Sequence, residues 1–263
     1  MPRFNGIKYR SISLYNETLN FSIDSFRAWF WYWLKLRGFS FHEKSVFHKL
    51  KEVLSQDNIL VDVGAHFGLY SLFASKKLCN GKVFALEMNR RNFQTLEKNI
   101  IINECTNIEA HNLAIANYCG KTNYQPDSIL TTATSRLKLI ALRKKHSKSN
   151  VLSVTTLDDF FQKKDCFPTI YKIDCEGAEY KILQGMTYIL ESIPDLQLFL
   201  ELHPKYLRKH YNSSYTDVLT LLLSHDLTCY KIEDFRKNQS APILTKIDDS
   251  ATIRKNSMIY VTK

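Results

Sequence analysis

The chain has 263 residues, 44% of them hydrophobic, enough for one large domain or for one domain with a helical extension. Its net charge of +10 favours anionic surfaces or substrates, and its six scattered cysteines, with no Cys-x-x-Cys pair, argue against a zinc module or a disulfide framework. No apolar leader follows Met1 and no run reaches transmembrane length, so a cytoplasmic protein is expected.

Helices are predicted over 24–36 and 41–55, forming an N-terminal helical extension over 1–56 ahead of a main domain over 57–263. In the second helix Val46, Phe47, Leu50, Val53 and Leu54 fall at helical spacing and make one apolar face. Trp29, Trp31 and Trp33 are expected as core between this extension and a sheet, with a sugar-stacking wall, a lid or a dimer contact as the alternatives.

Residues 59–71 are the most informative stretch. An apolar strand, Ile59 to Val63, carries Asp62 near its end, and Gly64 and Gly68 then open a helix. A strand that ends in glycines and opens a helix holds nucleotide-like cofactors at the strand's C-terminal edge. Gly64 permits a sharp turn, and exposed N–H groups of the new helix can bind an anionic group. Asp62 would repel a pyrophosphate but suits a ligand bearing an ammonium and a sulfonium, as S-adenosyl-L-methionine (SAM) does. Strand 82–87 ends in Glu87, positioned to accept two ribose hydroxyls.

A helix over 90–103 follows, with Phe93, Leu96, Ile100 and Ile101 inward, then a strand over 108–112 ending at Asn112. Residues 118–150 are irregular, with strand character near 122–125 and helix near 135–146. Between Ser128 and Leu157 there is no acid, whereas Arg136, Lys138, Arg143, Lys144, Lys145 and Lys148 lie there. A solvated basic face is the plain reading; contact with an anionic glycan, a phospholipid head group or, least favoured, a nucleic acid is the sharper one. A short strand over 151–156, a helix start at Asp158–Asp159, a buried strand over 169–174, a helix over 178–190, a strand over 196–201, a helix over 215–224 and strands over 227–232 and 257–262 complete the chain. Strands alternating with helices imply parallel pairing, and the last two strands suit an antiparallel pair, giving a seven-stranded, mostly parallel sheet with a reversed edge strand.

The segment Lys172-Ile-Asp-Cys-Glu-Gly-Ala-Glu179 gathers Asp174, Glu176 and Glu179 at a strand-to-helix turn. With Asp62-Val-Gly-Ala-His-Phe-Gly-Leu-Tyr-Ser71, Glu87, Asn92, Leu96, Thr156-Leu-Asp158, Leu183 and Gly185, it resembles the FkbM-type family of SAM-dependent methyltransferases over roughly 57–203. His66 departs from the asparagine usual there, and Met88-Asn89 stands where proline is common. The resemblance implies an α/β, class I (Rossmann-like) methyltransferase fold, SAM as cofactor and, most often, methylation of a hydroxyl on a sugar, glycan or other small molecule.

The expected cofactor contacts are Asp62, Gly64, Ala65, His66, Gly68, Glu87, Asn112 and Asp174. A hydroxyl acceptor benefits from a base, and Asp174, Glu176 and His203 are the expected catalytic residues, with Glu179, Glu201 and His66 also at strand ends or in the loop. Asp174, Glu201 and His203 would also suit Mg²⁺, but the resemblance implies no metal and none is expected. Two other readings compete: a non-catalytic SAM-fold module that binds a partner through its basic segment, and a nicotinamide-dependent dehydrogenase, against which the missing Gly-x-Gly-x-x-Gly speaks.

Overall fold

A computed structural model describes residues 2–33, 43–124, 150–237, 241–248 and 253–263. Its centre, among the described residues, is an eight-stranded sheet. In spatial order the strands are Leu244–Lys246, Thr228–Ile232, Ser257–Thr262, Gln197–Leu202, Ile170–Ile173, Ile59–Val63, Lys82–Leu86 and Ile108–His111. From Gln197–Leu202 to Ile108–His111 the neighbours pair parallel, and the connections between them run through helices. The expected α/β architecture is therefore present.

Two details differ from the sequence expectation. The reversed strand, Ser257–Thr262, is not at the edge: it inserts between Gln197–Leu202 and Thr228–Ile232, antiparallel to both. An eighth strand, Leu244–Lys246, then covers the outer side of Thr228–Ile232. The inserted position suits the sequence, because Met258, Ile259 and Val261 are fully buried there, and an edge strand would leave one row of its backbone groups unpaired.

The N-terminal extension is not all helical. Arg3–Phe4, Ile7–Leu14 and Glu17–Ser22 form a three-stranded antiparallel sheet. Both of its turns are two residues long with left-handed backbone, Asn5 (φ 46°) with Gly6 (φ 78°) and Tyr15 (φ 47°) with Asn16 (φ 68°), the handedness that matches strand twist. Leu14, Leu19 and Phe21 from this sheet, and Val46, Phe47 and Leu50 from the helix Lys44–Val53, share one core with Leu60, Leu72 and Phe73 of the main sheet layer. Val53 and Leu54 pack at its margin.

The helix Arg90–Ile102 holds that sheet with asparagines rather than with the expected apolar face. Leu96 is buried as expected and Phe93 and Ile100 are half-buried, but Ile101 is 47% exposed, and Asn92, Asn99 and Ile102 turn inward. Asn99 accepts the Ser22 N–H (2.7 Å) and donates to the Phe67 carbonyl (2.8 Å); Asn103 accepts the Asn20 N–H (2.8 Å) and donates to its carbonyl (2.7 Å). Backbone groups that need partners thus decide which side faces in.

The predicted 178–190 helix is two, Glu179–Gln184 and Thr187–Ser192, broken at Gly185, where a Cβ would lie 2.5 Å from the Ala116 carbonyl oxygen. A helix over Pro204–Tyr211, opened by its proline, was not expected. Asn150–Thr155, Gly120–Tyr124 and Ala114–Ile115 form a small separate sheet. The basic stretch from Arg136 to Lys148 and the helix expected near 135–146 lie outside the described residues.

Asn99→Ala leaves the Ser22 N–H and the Phe67 carbonyl without their partner in a buried position. It is expected to lower stability by about 2 kcal/mol or more, read as a shift of the urea midpoint. An unchanged midpoint would mean that the N-terminal sheet does not depend on this link.

Candidate functional site

The site follows from alternation. Side chains on a strand point alternately to the two faces, so residues two apart share a face. Leu60 and Asp62, then Ile170 and Lys172, then Phe199 and Glu201 are such pairs on three adjacent strands, and Lys172 pairs in register with Asp62. Leu60, Ile170 and Phe199 belong to the core shared with the N-terminal elements. Apolar residues thus give way on that face to Asp62, Lys172 and Glu201, with Asp174 and His203 two positions on. The result is a layer of charge at the C-terminal edge of the sheet, where open α/β sheets bind ligands.

Lys172 lies within this layer, 3.7 Å from Asp62 and 3.4 Å from Asp174, with its ammonium 4.7 Å from the centre of the Tyr70 ring. Tyr70 in turn donates to Glu43 (2.8 Å). Burial alone would depress the lysine, but the charges of Asp174 and Asp62 hold its pKa above the ordinary value. Asp62 is buried and fastened to the next helix, accepting the Ser71 N–H (3.1 Å) and hydroxyl (2.6 Å). Its other oxygen has no hydrogen bond.

The glycine loop is bound into the protein more tightly than its sequence implies. Gly64 and Ala65 donate to the Leu86 carbonyl (2.9 and 3.1 Å), His66 donates to Glu87 (2.8 Å) and Gly68 donates to Ala65 (2.7 Å). The N–H groups of Gly64, Ala65, His66 and Gly68 are thus spent within the protein, and any anionic group bound at this loop would meet the first turn of the helix Leu69–Lys77 instead. Gly64 has φ 81°, and a Cβ there would sit 2.1 Å from the Asp174 carbonyl oxygen, so only glycine lets the two strand ends meet. His66 also adopts a left-handed φ of 53° and packs against Phe67 and Trp31.

Glu87 is buried, with its oxygens accepting the His66 N–H (2.8 Å), the Asn89 N–H (2.7 Å) and the Asn92 amide (3.4 Å). Burial pushes its pKa up to about 7 against those hydrogen bonds. Asn112 donates to the Glu87 and Met88 carbonyls (2.8 and 3.0 Å), so its amide nitrogen clamps the chain after Leu86.

Past the next strand, His203 is buried among three carboxylates. Its Nδ1 lies 2.9 Å from Glu179, and its Nε2 lies 3.3 Å from Glu201 and 3.8 Å from Asp174. Burial alone would lower the histidine, but hydrogen bonds to Glu179 and Glu201 and the charge of Asp174 raise it to about 11. It is an imidazolium at neutral pH. Glu201, despite burial, is held below the usual carboxylate range by His203 and Arg236, which also ion-pairs with it. Asp174 is raised by burial and by Glu201, and its side chain stays 30% exposed. Glu176, left-handed at φ 46°, is pushed by burial and by Asp174 up to about 8.

Asp174, Glu176 and His203 are therefore brought together as expected. Glu179 is fully buried beneath them, accepting the Gly177 N–H (2.9 Å), so it supports His203 rather than lining a cleft. Lys172 and Arg236 are members that sequence reasoning missed. The Lys172 position two before Asp174 was the available signal; nothing local marks Arg236. Donor atoms of Asp174, Glu201 and His203 lie within 4.8 Å of one another, the spacing of a cation site. Here Lys172, His203 and Arg236 already supply positive charge to that set.

The family model described as the methyltransferase FkbM domain matches residues 62–233, more than half of the chain. Hexuronic acid methyltransferase AglP of Haloferax volcanii is 27% identical over 161 residues, 60% of each chain. Methyltransferase 1 of Beauveria bassiana is 24% identical over 151 residues, 49% of this chain and 59% of that one. The chain thus spans about 60% of the length of these relatives. A solved structure from Clostridium thermocellum assigned as an rRNA-methylase superposes with a TM-score of 0.50 at 9% identity, covering 84% of this chain and 95% of that one, a likeness of fold.

Removing the imidazolium strands buried carboxylates. The raised His203 pKa contributes stability that is fully present below the ordinary histidine pKa of about 6.5 and is lost as pH rises through about 11. His203→Gln should cost about 3–5 kcal/mol at pH 7, the usual size for breaking a buried pair. Its deficit should shrink toward pH 11. A urea midpoint within error of wild type at pH 7 would show that the carboxylates are not held by this charge.

Proposed function

We propose a function from the premise that the chain belongs to the FkbM methyltransferase domain family: it transfers the methyl group of SAM to a hydroxyl of a sugar or glycan. The observation that carries the reading is Asp174, a partly exposed carboxylate raised above its usual pKa at the sheet's C-terminal edge, beside the Gly64 loop. The hexuronic acid named for the Haloferax relative supports a sugar as the acceptor class. The basic segment, from Arg136 to Lys148, suits an anionic glycan equally well.

The residues fit the cofactor. Glu87 is a buried acid directly after the strand Lys82–Leu86, suited to ribose hydroxyls. Asp62 and Asp174, on either side of Lys172, give negative charge for an ammonium. SAM, when bound, supplies an electrophilic methyl on a sulfonium, so the protein's task is chiefly positioning and the handling of one proton.

Asp174 takes that proton. It is the group of the cluster that is both ionisable near neutrality and open to an acceptor. His203 cannot serve as the base, because it already holds both of its protons at neutral pH. It orients Asp174 from behind and keeps the carboxylates of Glu179 and Glu201 compensated. Glu176, protonated at neutrality by its raised pKa, can donate a hydrogen bond to the acceptor.

Two outcomes test this reading. SAM affinity measured by calorimetry should strengthen as pH rises through about 7, where Glu87 ionises and becomes a charged acceptor. Glu87→Gln should weaken binding about tenfold and flatten that pH dependence. A pH-independent wild type, or an unaffected variant, would remove Glu87 from the cofactor site.

For the chemical step, single-turnover transfer of labelled methyl to methyl glucuronide, with SAM raised to saturate each variant, should fall about a hundredfold in Asp174→Asn. An undiminished rate would place the base elsewhere. Absence of transfer by wild type to that glycoside and to methyl glucoside would count against a sugar acceptor.

A further inference from the structure

The helix Phe26–Trp31, capped by Ser25, has two unlike faces. Ala28 and Tyr32 are buried, and Trp31 packs on Phe21 (5.5 Å between ring centres), Phe67 (5.1 Å) and His66 (5.6 Å). The other face carries Phe26, Trp29 and Trp33, exposed by 63%, 43% and 46%. Their spacing of three and then four residues puts them on one helical stripe. Phe30 stacks beneath Phe26, with ring centres 5.8 Å apart, and stiffens the stripe. Three large rings held in water within eight residues form an apolar patch of the kind that marks a partner site.

We propose that this stripe docks on the surface of an anionic lipid bilayer. Tryptophan and phenylalanine side chains favour the headgroup boundary, where their rings leave water without entering the hydrocarbon centre. The chain's charge of +10 adds attraction to an anionic leaflet. The same charge opposes the other simple occupant, a second copy of this chain, because two cationic molecules repel. Lying on the surface also accords with length: among the described residues no helix is long and apolar enough to cross a membrane. Because Trp31 of this helix touches the glycine loop through His66 and Phe67, docking would bring that loop near the bilayer.

The test is co-sedimentation of the full chain with vesicles of phosphatidylglycerol and phosphatidylcholine in equal parts, against vesicles of phosphatidylcholine alone. Wild type should pellet with the anionic vesicles, with a blue shift in tryptophan emission, and binding should weaken as salt rises. Phe26→Ser/Trp29→Ser/Trp33→Ser should bind at least tenfold more weakly. Trp29→Ser alone should show a smaller loss, which guards against misfolding of the triple variant. The far-ultraviolet circular dichroism of both should match wild type, since the replaced rings are exposed. Wild type remaining in the supernatant, or a folded triple variant that binds equally well, would overturn the proposal. So would a wild-type dimer in sedimentation velocity that the triple variant abolishes.

Discussion

The charge carried by His203 is what the sheet edge depends on. Glu179, Glu201 and Asp174 all approach one imidazole ring, and two of them are almost wholly buried. Carboxylates so placed repel one another and have lost their water, and their stability requires a cation in contact. His203 provides it, with Lys172 beside Asp174 and Arg236 ion-paired to Glu201. This arrangement leaves Asp174 as the carboxylate that is neither fully compensated nor fully buried. A cluster that first reads as a store of possible bases is thereby sorted, in the proposed function, into one base and its supports.

The same layer explains the loop geometry. Asp62 is tied to Ser71 on one side and faces Lys172 on the other, so the strand Ile59–Val63, the helix Leu69–Lys77 after it and the neighbouring strand Ile170–Ile173 are joined by one acid. Gly64 brings the loop against the backbone of Asp174, and Glu87 receives the His66 amide. Glu87 and Asp174 therefore sit on opposite flanks of one turn. The N-terminal elements close over that face through Tyr70, Glu43 and Trp31.

Much of this was legible in the sequence, and the parts that were not have physical reasons. Short apolar strands ended by acids, at 62, 87 and 174, located the sheet edge, because such residues have few other reasons to lie there. The hairpin at Asn5–Gly6, flanked by the alternating run Ile7–Leu14, carries a turn signal in the sequence, but one short hairpin has no apolar face of its own to bury without the helix and sheet it packs on. Helix Arg90–Ile102 was misread because hydrophobic periodicity treats asparagine as outward, whereas Asn99 and Asn103 face inward to satisfy the backbone of a distant strand. The insertion of Ser257–Thr262 inside the sheet is a matter of non-local pairing. So is the state of His203: two carboxylates at the ends of one strand-to-helix turn, Asp174 and Glu179, and Glu201 from a strand set its proton affinity, and only Glu201 is near it in sequence.

The most direct test of this account is the protonation state of that ring. Nitrogen-15 chemical shifts of the His203 imidazole, followed from pH 6 to pH 10, report each nitrogen separately. The account predicts that both nitrogens stay protonated across the range, because the ring titrates only near pH 11. A neutral ring at pH 7 would contradict it, returning His203 to the role of base and leaving the buried carboxylates without their principal counter-charge.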